Sequence, residues 1–188
     1  MCIRDRLDVG KSSRQFYELF SPRQITTLDI NQFDDYPDII DDICDPLQLQ
    51  DECYDGLVCL SVIEHVYAPE QAVGSIYRCL KPGGAAFVHV PFVFRYHAPG
   101  DLSFQDYYRF TRDGVAYLFR EFESPVLYPV RGRLSSAMNL QRFWKKRIER
   151  RFGHRLNRWV DRVYDRVAHP GAAELQTSGY FIWARKPL

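Results

Sequence analysis

Glu64-His65, His97 and the run Asp106-Tyr107-Tyr108-Arg109 are the side chains of this 188-residue sequence best suited to moving protons and orienting a polar substrate. Imidazole titrates near neutrality, so His97 is the preferred candidate base and His65 the second. Glu64 and His65 could instead help hold a metal, or simply orient a loop and cap the helix that follows. Tyr108 and Arg109 combine an aromatic ring with directional donors, which suits substrate positioning. Pairing of Arg109 with Asp106 or Asp101 is the purely structural reading. Gly10 and Asp29 suggest a second kind of chemistry. Gly10 lets the backbone turn sharply and approach a ligand closely. Asp29, 19 residues further on, can accept hydrogen bonds from both vicinal hydroxyls of a ribose, the use an acid has in dinucleotide folds. Capping of a loop is its competing reading.

These residues fall at the ends of predicted elements. Leu7 to Gly10 reads as the end of a first strand, Ser12 to Phe20 as a short helix, and Ile25 to Ile30 as a second strand. A short third strand ends in Asp42, and a fourth runs from about Asp55 to Val62. Pro69 suits a first helical turn, and Ala72, Val73, Ile76, Tyr77 and Leu80 recur at helical spacing. Pro82-Gly83-Gly84 is expected to break that helix and turn the chain into a strand over Ala85 to Val90. A helix over Thr111 to Phe122, a strand over Glu123 to Val130 and a last strand over Gly179 to Ala184 complete the pattern. Strands alternating with helices predict a mostly parallel α/β sheet, which binds ligands at the carboxyl ends of its strands. Residues 131–177 form a basic insertion. Leu140, Trp144, Ile148, Phe152, Leu156, Val160, Val163 and Val167 trace an apolar stripe, and Gly153 is expected to divide it into two helices.

The stretch from Tyr54 to Pro91, YDGLVCLSVIEHVYAPEQAVGSIYRCLKPGGAAFVHVP, contains strand, acidic turn, helix, Gly-Gly turn and strand in order. With its EH turn and LKPGG it resembles the class I S-adenosylmethionine (SAM)-dependent methyltransferases of the type 11-like kind. The resemblance covers roughly residues 7–130 and the final strand. It implies a Rossmann-like three-layer sandwich: a mostly parallel seven-stranded sheet, an antiparallel last strand and a helical insertion before it. It also implies SAM as cofactor. Asp8 and Gly10 would then lie near its polar tail, Asp29 and Ile30 near the ribose, Asp42 at the adenine amino group and Ile43 on the ring. Leu60 and Ser61 would lie near the methionine part. Ser12 stands where the family has a second glycine. Ser12 and Gln15 also break the Gly-x-Gly-x-x-Gly pattern that a dinucleotide pyrophosphate needs, which favours SAM over NAD. Residues 91–111 resemble the "PF … H-x-P … DYYRFT" pattern of a methyltransferase subgroup linked to polysaccharide and glycolipid biosynthesis. A small-molecule, glycan or lipid-linked acceptor follows as the expectation. A non-catalytic binding or scaffolding remnant is the second reading.

The length suits one domain over residues 1–188, and residues 1–6 read as a non-native leader on a truncated fragment. Residues 1–130 carry 11 Lys/Arg against 20 Asp/Glu, and residues 131–188 carry 14 against 4. The basic part therefore suggests an anionic partner, of which a membrane surface or a phosphorylated acceptor fits better than nucleic acid, for which no RNA-binding motif is present. No apolar run approaches the roughly 20 residues that span a bilayer, and no secretory pattern opens the chain. The expected location is cytoplasmic, with peripheral contact to the inner face of the membrane. The five cysteines form no CxxC pair, so buried free thiols are expected, and spacing assigns no metal site.

Overall fold

The computed structural model describes residues 5–11, 25–98, 104–141, 150–168 and 175–188. The helix expected over Ser12 to Phe20 and the loop position of Ser12 lie outside these residues. Among them are seven strands: β1 (Arg6–Val9), β2 (Ile25–Asp29), β3 (Ile39–Ile40), β4 (Tyr54–Leu60), β5 (Leu80–Pro91), β6 (Glu123–Pro129) and β7 (Gly179–Arg185). They form one sheet in the order β3-β2-β1-β4-β5-β7-β6. β1 to β5 pair in parallel, and β7 runs antiparallel between β5 and β6. This is the Rossmann-like arrangement anticipated, with helices flanking the sheet. From β1 the chain winds outward to β2 and β3, then returns to β4 on the other side of β1. The carboxyl ends of β1 and β4 therefore border the crevice where strand order reverses.

The central strands are buried on both faces, so they read as apolar runs rather than as alternation. Leu7, Leu57, Cys59, Val88 and Ile182 are buried from solvent, each apolar side chain contributing about 1.5–3 kcal/mol. α1 (Pro69–Cys79) covers them with Ala72, Val73, Ile76 and Cys79. Cys59 and Cys79 are buried free thiols, as expected. α2 (Arg112–Leu118) starts where the Thr111 hydroxyl accepts the Gly114 amide. It is shorter than the predicted Thr111–Phe122 span, although Phe119 and Phe122 still pack inward.

Several boundaries differ from the sequence reading for local reasons. β1 begins at Arg6, inside the expected leader, because pairing with Ile25 and Gly56 uses the backbone alone. β3 stops at Ile40, since the Asp41 carboxylate closes a turn by accepting the Leu47 and Gln48 amides at 2.9 and 2.7 Å. β4 stops at Leu60, because Ser61 takes a left-handed conformation with φ of 59°. α1 ends at Cys79, before Pro82-Gly83-Gly84, which instead forms a bulge within β5 opposite Tyr54 and Gly56. A Cβ on Gly84 would meet the Lys81 carbonyl oxygen at 2.8 Å.

The insertion contributes α3 (Arg133–Asn139) and α4 (Arg150–Ala168). α4 runs through Gly153, so the expected division there does not occur; a lone glycine costs only about 1 kcal/mol in a helix. Asp161 joins the two helices by accepting the Gly132 and Ser135 amides at 3.0 and 2.9 Å, which caps α3. No described helix is long and apolar enough to cross a membrane.

Candidate functional site

A cleft of about 410 Å³ opens at the carboxyl ends of β1, β2 and β4. Gly10 forms its floor with φ of 74°, and a Cβ there would stand 2.5 Å from Val62 Cγ2. Both observations exclude a larger residue. Asp29 lies on the rim. Its Oδ1 accepts the Asn31 amide at 3.0 Å and its Oδ2 the Tyr36 hydroxyl at 3.2 Å. These two bonds fix the carboxylate and leave it lone pairs for further donors. Asp42 accepts the Cys44 amide at 2.8 Å, and Ile43 turns its buried side chain into the same cleft. Ser61 closes the far end of the floor. Its Oγ lies 2.8 Å from Nδ1 of His89, whose pKa burial lowers to about 4.

The opposite wall is built from three separated segments. Glu64 and His65 occupy a 3-10 turn over Ile63–His65, directly after the left-handed Ser61. The Glu64 carbonyl accepts the Tyr107 and Tyr108 amides at 2.9 and 3.2 Å, which brings the Phe104–Phe110 segment against this turn. Arg109 donates from Nε to the Phe94 carbonyl at 3.0 Å and from a terminal nitrogen to that of Arg95 at 2.8 Å, tying in the segment that carries His97. Asp106 has no exposed side-chain surface and binds Arg109 with both oxygens. That guanidinium holds the Asp106 acid down at about 2.

Within this wall the His65 and His97 Nε2 atoms are 3.1 Å apart. Nδ1 of His65 faces the Gln105 carbonyl, and Nδ1 of His97 lies 3.1 Å from Asp106 Oδ2. Burial lowers the His65 pKa, so this ring is neutral at neutral pH. Glu64 is 1% exposed, and burial raises its acid to about 7.

Of the predicted cofactor residues, Gly10, Asp29, Ile30, Asp42, Ile43 and Ser61 line the cleft. Asp8 is buried within β1, and Leu60 ends β4; neither is among the lining residues. His65 lines the cleft, whereas His97, Tyr108 and Arg109 stand behind it. Arg109 pairs with Asp106, as the structural reading had it. Tyr108 is partly exposed and donates its hydroxyl to the Tyr67 carbonyl at 3.0 Å. Sequence reasoning missed Asn31, Val62, Tyr67, Phe104, Gln105 and Tyr107 as lining residues. The aromatic run before Arg109 was the available signal for the last of these.

Residues 7–88 match the family model described as a methyltransferase domain. No curated protein matches the sequence. Among solved structures, Haemonchus contortus phosphoethanolamine N-methyltransferase 2, crystallised with phosphomonomethylethanolamine and S-adenosylhomocysteine, superposes with a TM-score of 0.61 at 16% identity. The alignment covers 98% of this chain and 49% of that one, so the chain spans about half its length. A SAM-dependent methyltransferase from Archaeoglobus fulgidus gives a TM-score of 0.58 at 15% identity, over 97% of this chain and 86% of that one. The cyclase SpnF gives 0.58 at 20% identity, over 98% and 75%. At such identities the likeness speaks for the fold alone, and a cyclase among the neighbours shows that the fold does not fix the reaction. The match to a methyltransferase domain runs from β1 into β5, somewhat less than half of the chain, and the fold keeps the sheet plan of these methyltransferase structures to the last strand.

Proposed function

We propose that the chain binds SAM in the cleft and transfers its methyl group to a small-molecule, glycan or lipid-linked acceptor. The observation that carries this reading is the pairing, across one crevice, of a glycine that tolerates no Cβ with a fixed carboxylate at the end of β2. The volume lies within the roughly 300–1,000 Å³ of small-molecule sites. Gly10 and Ser61 would border the amino-acid part, Asp29 would hold the ribose hydroxyls, and Asp42 with Ile43 would receive the adenine. When bound, SAM supplies a methyl group already activated by its sulfonium. The protein's share is to bring the acceptor into line and exclude water. Phe104, Tyr107 and Tyr67 offer aromatic faces on the wall opposite Asp29, suited to a sugar ring. A hydroxyl acceptor also needs its proton removed. His65, neutral and at the cleft surface, is the nearest group able to take it, with His97 in contact behind.

Calorimetry with SAM and its demethylated product tests this. We expect both to bind, and Asp29→Asn to weaken each by about tenfold, the loss of a charge-assisted hydrogen bond. No heat from either ligand at high concentration overturns the reading. Binding of both without methyl transfer to any glycan or lipid-linked acceptor fraction would favour the non-catalytic remnant.

A second reading concerns α4. Arg155, Arg158, Arg162 and Arg166 are exposed on it, and Trp159 and Val163 are exposed beside them, at 59% and 41%. A basic face carrying an aromatic wedge suits an anionic lipid surface, which would place the chain at the inner face of the membrane. In vesicle flotation the chain is expected to float with anionic and not neutral lipid. Absence from both rejects the contact.

A further inference from the structure

We propose that Glu64, His65 and His97 form a binding site for one divalent transition-metal ion of the Zn²⁺ class, with its open coordination positions toward the cleft. Hydrogen-bond arithmetic leads there. The Gln105 carbonyl can only accept, so His65 Nδ1 must carry a proton and its Nε2 is a bare lone pair. His97 Nδ1 faces Asp106, already ion-paired with Arg109, and the Arg95 carbonyl at 3.3 Å. The Arg109 terminal nitrogen is more distant, at 3.5 Å, so the two nearer oxygens make Nδ1 a donor and leave Nε2 bare as well. The two lone pairs meet at 3.1 Å. A third acceptor adjoins them. Oε1 of Glu64 lies 3.6 Å from His97 Nε2 and 3.8 Å from His65 Nε2, and neither Glu64 oxygen has a hydrogen bond among the described residues.

With Glu64 ionised, three acceptors converge without a donor and need something positive between them. A proton shared by the imidazoles would satisfy the two nitrogens and leave the buried carboxylate unmet, at a cost of about 1–3 kcal/mol or more. A divalent ion satisfies all three. Two imidazole nitrogens at about 2.0–2.1 Å from a tetrahedral ion stand roughly 3.3 Å apart, close to the separation seen. The carboxylate oxygen has only to close by a few tenths of an ångström. Two imidazoles with one carboxylate select a borderline ion over Mg²⁺ or Ca²⁺. The outer partners are also in place, since metal-bound imidazoles hold their second nitrogen on a carboxylate or carbonyl. Here those are Asp106, itself clamped by Arg109, and Gln105. Because His65 lines the cleft, a fourth position would be open to an oxygen of the acceptor. The ion would then lower that oxygen's pKa directly, and His65 would serve as ligand rather than base. The site itself does not rest on the methyltransferase reading.

The test uses the full chain, stripped with chelator and free of SAM, titrated with Co²⁺ as a visible probe. One Co²⁺ per chain is expected, displaced by Zn²⁺ and not by Mg²⁺, with absorption of a nitrogen and oxygen site and no thiolate charge-transfer band. Glu64→Gln and His97→Ala should each weaken binding at least tenfold, and Asp113→Asn, a surface control, should leave it unchanged. Should a variant not fold, Cu²⁺ bound to the unaltered chain still decides, through nitrogen couplings from two imidazoles in electron paramagnetic resonance. Undetectable Co²⁺ binding, unchanged affinity in both folded variants, thiolate bands, or coupling to fewer than two imidazoles overturns the proposal. Because SAM takes no part, a failed SAM titration and a failed ion titration remain separate results.

Discussion

Carboxylates on the β2–β3 side of the cleft are held by groups close in sequence, whereas the histidine wall across the cleft is assembled from segments far apart along the chain. Asp29 takes the Asn31 amide, Asp42 the Cys44 amide, and Asp41 the Leu47 and Gln48 amides, no more than seven residues away. Across the cleft, His65 meets His97 over 32 residues and the Gln105 carbonyl over 40. That far wall also holds two buried carboxylates with opposite fates. Asp106 is met by a guanidinium and the His97 amide and stays charged far into acid. The Glu64 carboxylate has no hydrogen bond among the described residues, and burial pushes it up to about 7. Equal burial thus gives unequal charge, because partners and not depth decide the sign of the shift. The near wall is finished in the bare chain. The far wall holds one polar group in reserve, and such groups gather where proteins bind or react.

The largest way to break this contrast is Arg109→Met, which keeps volume and removes the guanidinium from Asp106. One partner of a buried pair is then left uncompensated, and we expect a loss of about 3–5 kcal/mol in urea unfolding. A loss under about 1 kcal/mol would mean that Asp106 is not held as its contacts imply. Next comes His89, beneath the floor between the walls. Its folded pKa of about 4 lies below the ordinary 6.5. Between those values the unfolded chain binds more protons than the folded one. His89 therefore leaves stability intact above pH 6.5 and removes it as pH falls toward 4, by about 3 kcal/mol over the whole window. His89→Gln should flatten that part of the stability curve. An equally steep fall in the variant would assign the acid sensitivity elsewhere.

What could be read from the sequence divides along the same line as the walls. Asp29, Asp42 and Ile43 follow from where β2 and β3 end, and those ends follow from local runs of β-branched residues. The sheet was legible for the same reason. Glu64 was legible only in part: with His65 it could hold a metal, orient a loop or cap a helix, and its isolation depends on Tyr107, Asp106 and Arg109, which nothing within a few residues announces. The contact of His97 with His65 carries no spacing signal either, since the two lie 32 residues apart. Asp8 was expected beside the cofactor because the resemblance pairs it with Gly10, but it is buried within β1 and does not line the cleft. Gly153 misled in the other direction. Its intrinsic cost is small, and Asp161 of α4 adds to that helix the work of capping α3.

Gly10→Ala tests the near wall at its floor. The added methyl must push aside Val62 and accept a left-handed backbone, so about 2 kcal/mol of stability should be lost. Product binding should weaken at least as much as in Asp29→Asn. Unchanged binding would move the cofactor away from this turn.

Tyr108→Phe should have the smallest effect and separates two roles that the far wall leaves entangled. Its hydroxyl donates to the Tyr67 carbonyl at 3.0 Å, and Tyr67 lines the cleft. Removing a partly exposed bond of this kind costs about 1 kcal/mol. If the ring only braces the wall, amide exchange at Tyr107 and Tyr108 should quicken, with the affinity for product unchanged. The Glu64 carbonyl, which binds both amides, would then be the point where the loosening is felt. If the hydroxyl also touches the acceptor, KM should rise with kcat unchanged, since a contact made equally in ground and transition states alters binding alone. Neither change would leave the Glu64 turn supported by its amides and by Arg109 without help from Tyr108.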